Sequence, residues 1–142
     1  MKKILAVALL LAGGSLLSYG QCDKKVVLTA SKTEYLGADS SLQRTEDEHT
    51  VIEFDKTNIT IAPGDHKMAG TITSYSCNWP TPFKDGKTVI RVTLTENEGG
   101  ETKKLTITIE GKAGKIKLLA EMEDDATKKI RLNADSFGEN KG

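Results

Sequence analysis

The second half of the chain alternates apolar and polar residues at every second position. In Val89-Ile90-Arg91-Val92-Thr93-Leu94-Thr95, the residues Ile90, Val92 and Leu94 fall on one side, and Arg91, Thr93 and Thr95 on the other. Leu105-Thr106-Ile107-Thr108-Ile109 repeats the pattern. Ile116, Leu118, Ala120 and Met122 alternate with Lys117, Leu119 and Glu121, and Ile130, Leu132 and Ala134 with Arg131, Asn133 and Asp135. Successive side chains of an extended strand point to opposite faces, so each segment predicts a strand that is dry on one face and wet on the other. The first half carries the same signal in shorter runs. Lys25–Thr33 places Val26, Leu28 and Ala30 inward, Thr50–Phe54 places Ile52 and Phe54, and Asn58–Ala62 places Ile59 and Ile61. Lys67–Cys77 is longer, and its Gly70 predicts a bend or a bulge.

Turn signals separate these runs. Asp55-Lys56 is a very short connection, and Pro63-Gly64-Asp65 is a strong breaker. Asn97-Glu98-Gly99-Gly100, Gly111-Lys112-Ala113-Gly114 and Glu123-Asp124-Asp125 supply the rest. No stretch sustains a helical period. Ser40-Ser41-Leu42-Gln43 resembles a capping box, but the acidic Glu46-Asp47-Glu48 follows without an apolar stripe, so at most a turn or two of helix is expected there. The sum is an all-β antiparallel meander of about eight strands in one domain, residues 21–142. Such a meander closes into a small barrel and loses its edges. A two-sheet sandwich is the competing closure.

Residues 1–20 have a different character. Lys2 and Lys3 are followed by an apolar run from Ile4 to Ala12, and Ser18-Tyr19-Gly20 fits a small-x-small cleavage site. This is the pattern of an export signal. The run is too short to span a bilayer, and no second one follows, so no membrane attachment is expected after cleavage. Cys22 stands where a lipidated cysteine would stand, but Gln21 precedes it where a small residue would be required, which argues against a lipid anchor. The expected location is therefore secreted or periplasmic. Cys22 and Cys77 are the only cysteines, and an even count in an exported chain predicts a disulfide between them. There is no CxxC motif, and the two His and two Cys lack the spacing of a zinc site.

Charge narrows the class of partner. Residues 1–20 contain two lysines and no acid, so the remainder has 18 basic against 20 acidic residues. A near-neutral domain is a poor binder of nucleic acid, which requires clustered Lys and Arg against phosphates. Leu, Ile, Val and Phe make up about a fifth of residues 21–142, a sparse core. Val, Ile and Thr make up about a quarter, as pleated surfaces favour. Neither His49 nor His66 has a nucleophile motif nearby, and both are expected to be exposed. The acids of Glu123-Asp124-Asp125 lack EF-hand spacing. No catalytic set, cofactor or metal site is expected, and the chain is read as a monomer and not an enzyme.

The most distinctive segment is Cys77-Asn78-Trp79-Pro80-Thr81-Pro82-Phe83. Two prolines stiffen it, and Trp79 and Phe83 flank them. Rigid aromatics on a stiff loop suit partner binding. With few other large residues available, the same loop can instead fold back and plug one end of the barrel, and that reading is preferred.

The export signal, the eight alternating segments and Cys77-x-Trp79 together resemble the small exported bacterial proteins described as lipocalin-like. The resemblance covers roughly residues 24–137 and implies a barrel. Gly-x-Trp, which lipocalins carry near the first strand, is absent, so it implies no particular ligand. Tyr75-Ser76-Cys77 is similar to a Tyr-x-Cys found in some exported lysozyme inhibitors. The expected function is that of an exported non-enzymatic binding protein. Its ligand is either a small apolar molecule within the barrel or a protein at the Trp79–Phe83 loop, with Tyr75, Trp79 and Phe83 as candidate contacts. The alternative is a protein inhibitor of a hydrolase such as lysozyme.

Overall fold

Strands with one dry face need a surface that closes on itself, and here they form it by pairing in a ring. The computed structural model describes residues 21–96, 102–125 and 127–140. Residues 1–20, read as an export signal, and the turn expected at Asn97-Glu98-Gly99-Gly100 lie outside the described residues. The strands are β1 (Val26–Leu36), β2 (Leu42–Phe54), β3 (Asn58–Pro63), β4 (Met68–Thr81), β5 (Asp85–Glu96), β6 (Thr102–Lys112), β7 (Lys115–Met122), β8 (Lys129–Asn133) and β9 (Ser136–Glu139). Each of β1 to β7 pairs antiparallel with the next, and β8 pairs with β1. The closure is therefore an eight-stranded barrel and not a sandwich. No helix occurs among the described residues.

β9 is one strand more than the alternation predicts. It pairs with the first half of β1, Val26 to Thr29, while β8 pairs with Glu34 to Leu36 on the same edge. Between them, Ala134 N–H donates to the Ile116 carbonyl of β7 at 2.9 Å, and Asp135 N–H to the Thr29 carbonyl of β1 at 2.7 Å. β8 and β9 thus act as one closing strand with a break in the middle.

A second difference concerns residues 42–48. Instead of a helical turn they extend β2, pairing with β1 through Leu36↔Leu42, Tyr35↔Arg44 and Thr33↔Glu46. The backbone hydrogen bonds to β1 decide the conformation there, and local capping signals do not. A register shift between Ala30 and Lys32 moves the inward set of β1 from Val26, Leu28 and Ala30 to Thr33 and Tyr35. In β4 the shift falls between Ile72 and Ser74, not at Gly70. Gly70 instead permits close approach of β5, since a methyl group there would lie 2.7 Å from Leu94 Cδ2.

The core follows the predicted parity. Ile52, Ile90, Val92, Leu105, Ile107, Ile116, Leu118 and Leu132 are buried in one cluster. Ile61 and Ile130 point the same way but are only half-buried.

Candidate functional site

The two ends of the barrel differ, and the sequence explains each. At one end sits the Trp79–Phe83 segment, expected as a loop; Trp79-Pro80-Thr81 instead complete β4, and only Pro82, Phe83 and Lys84 turn into β5. Trp79 is 2% exposed, and its indole N–H donates to Thr88 Oγ1 at 2.7 Å. Buried indoles need such a partner. Space for the ring is provided by glycines on the next two strands, Gly86 on β5 and Gly111 on β6. A methyl group at Gly111 would come within 2.5 Å of Trp79 Cζ3, and one at Gly86 within 2.5 Å of Trp79 Cα. Phe137 of β9 packs on Trp79 with ring centres 5.5 Å apart, and Phe83 meets Phe137 edge-on at 5.1 Å.

The first described residues seal this end. Cys22 and Cys77 form a disulfide, which ties the segment before β1 to β4. The Tyr75 hydroxyl donates to the Cys22 carbonyl at 3.3 Å, and Phe83 N–H to Gln21 Oε1 at 2.6 Å. Burial, with the Asp23 and Asp55 carboxylates nearby, pushes the Tyr75 phenol above its ordinary range. Tyr75, Trp79 and Phe83, the candidate contacts of the sequence, are thus brought together, each engaged with its own chain.

The opposite end is open. There the inward residues enclose a cavity of about 700 Å³. Its floor and walls include Ile52, Ile61, Leu94, Ile107, Leu118 and Ile130. Cavities of roughly 300–1,000 Å³ are the usual size for small-molecule sites. The half-burial of Ile61, Ala120, Met122 and Ile130 now has a cause, because these side chains point inward but line a space that solvent reaches.

Polarity is graded along the walls. On β2 the lining runs from Arg44 and Glu48 at the rim through Thr50 to Ile52. On β1 it runs from Tyr35 to Thr33. Thr50 is 3% exposed, and its Oγ1 has no hydrogen-bond partner among the described residues. A buried hydroxyl left unpaired costs roughly 1–3 kcal/mol, so it marks a place where a further polar group fits. Tyr35 lies at the rim beneath the Arg44 guanidinium, 4.1 Å from its ring centre. Burial, then Glu48 and Glu46, raise the Tyr35 phenol.

A second hollow of about 800 Å³ lies between long side chains outside the barrel, including Lys87, Glu110, Lys115, Lys117 and Arg131. It is more open, and its lining is mostly the outer face of β5 to β8. His49 and His66 are both exposed, with His66 at the rim of the inner cavity. The sequence pattern gives the cavity walls but not the cavity, because an inward isoleucine looks the same whether it meets another side chain or a void. Lys103 is the one signal available. It shares the parity of Leu105 and Ile107 and also lines the cavity.

No protein-family model matches this chain, and no curated protein sequence matches it.

Proposed function

We propose that this chain is an exported, non-enzymatic binding protein that holds a small, largely apolar ligand in the open half of its barrel. The observation that carries this reading is the cavity of about 700 Å³, apolar at depth and closed at one end only. A preformed apolar site of this kind binds by removing ligand surface from water, at roughly 25 cal/mol per Å² of apolar area. Little ordering of the protein is needed, because the walls are hydrogen-bonded strands. The Cys22–Cys77 disulfide supports an oxidising compartment, and the bond occupies the sulfur that a lipid anchor would need.

The competing reading, a protein inhibitor that uses a protruding aromatic loop, has less support. Trp79 is buried and its N–H is engaged within the chain.

Filling the cavity tests the proposal. Ala120 lines it from β7 and is half-buried. The wild-type protein should bind N-phenylnaphthylamine with enhanced dye fluorescence, and Ala120→Trp should abolish that binding while the barrel stays folded by circular dichroism. Undiminished dye binding in the folded variant, or none in the wild type, would sink the proposal.

A further inference from the structure

We infer that the ligand of this cavity is an anionic amphiphile, bound tail-down with its head group at a cationic rim. The inference rests on the reading of the cavity as a binding site and adds the sign and orientation of the ligand.

Among the described residues, the charged side chains that line the cavity are Arg44, Lys103, Lys128 and Lys129, with the carboxylate Glu48. They come from three separate parts of the chain, β2, β6 and the start of β8, so no local charge run produces the asymmetry. Lys103 is placed by strand parity on the inner face of β6. Several of these cations have carboxylate neighbours outside the lining. Arg44 Nε lies 3.3 Å from Glu46, Lys128 Nζ 3.9 Å from Asp125, and Lys129 Nζ 3.8 Å from Glu121 and 3.3 Å from Ser40 Oγ. The two lysine pairs are longer than a hydrogen bond, and at such distances, with the carboxylate partner open to solvent, they are held weakly. An anionic head entering the rim can therefore form charge-assisted hydrogen bonds with Lys128 and Lys129, whose carboxylate neighbours are held only loosely. A cationic head would meet like charge.

A second observation points the same way. Below the rim, Thr33 and Thr50 are buried on adjacent strands, and Thr50 Oγ1 is the buried side-chain polar atom without a partner among the described residues. Deeper still the walls are aliphatic. From mouth to floor the lining thus passes from cations to hydroxyls to hydrocarbon, the order of polarity of a single-chain anionic amphiphile entering tail first.

Three probes with one tail and different heads test this: dodecanoate, dodecanol and dodecyltrimethylammonium. Each is titrated below its micelle concentration, at low salt, by displacement of N-phenylnaphthylamine. Dodecanoate should bind at least ~10-fold more tightly than dodecyltrimethylammonium, with dodecanol between them. The Lys103→Glu, Lys129→Glu double variant should reverse the order of the charged probes and leave dodecanol within ~2-fold of wild type. If that variant does not fold, Lys103→Gln should shrink the preference for dodecanoate. Equal binding of all three probes, or preference for the cation, would overturn the inference and leave the cavity reading standing. Binding of none would overturn the cavity reading itself.

Discussion

The indole of Trp79 fits because positions 86 and 111 carry no side chain. Both glycines lie against it, and either methyl group would sit 2.5 Å from a Trp79 atom. Trp79, Phe83 and Phe137 do the work of a floor with three of the few aromatic side chains in the protein. Trp79→Ala should lower stability by about 3–5 kcal/mol, the range for truncating a buried large aromatic, as measured by urea unfolding. Gly111→Ala should also destabilise, and it should red-shift Trp79 fluorescence by displacing the ring. A loss below ~0.5 kcal/mol for Trp79→Ala would place the indole at the surface. This part of the site was legible in the sequence, since Trp79 and its prolines stood out and few other side chains could fill the barrel end. The glycines opposite were not, because nothing in a sequence shows which residues face a ring across two strands.

Among the elements, the seam between β1 and β8 closes the ring. It is short, three residue pairs, and a side-chain cluster reinforces it. Arg131 Nε and Nη2 donate to the two Glu34 oxygens at 2.8 and 3.3 Å, and Asn133 Nδ2 donates to Glu34 Oε1 at 2.9 Å. The Arg131 hydrogen bond, ahead of the other causes, holds the Glu34 carboxyl below its ordinary value of 4.5. A lowered folded-state value means the stabilisation is complete above the unfolded value and is lost as pH falls through the folded one. Glu34→Gln should therefore cost about 1 kcal/mol at neutral pH, between an exposed pair and a buried charged hydrogen bond. The cost should vanish on acidification below pH 4.5, which thermal melts across that range would show. A cost that is constant with pH would assign it to packing. β8 was legible from Ile130 and Leu132. β9 was not, because four residues with one inward aromatic carry too little alternation to be seen. The outer half of β2 was hidden for a related reason: Leu42 to Asp47 are all exposed, so no buried face marks a period. Its acidic run suits an unpaired edge that must resist association.

The whole molecule is a barrel sealed by covalent and aromatic contacts at one end and open at the other. The Cys22–Cys77 bond spans a sequence separation of 55 residues. Closing a loop of that length stabilises by roughly 4 kcal/mol through the unfolded chain, so reduction should lower the urea midpoint substantially without changing ligand preference at the far end. The fold class followed from alternation, and the disulfide from cysteine count. The hollow did not, because sequence parity fixes direction and not distance across the barrel. The central claim is that ligand enters the open end and leaves the aromatic end untouched. An NMR titration of isotope-labelled protein with dodecanoate tests it most directly. The account predicts shifts at Thr50, Ile61, Lys103 and Ile130, with the Trp79 indole N–H unmoved. Shifts at Trp79 and Phe83 with the cavity residues still would contradict it.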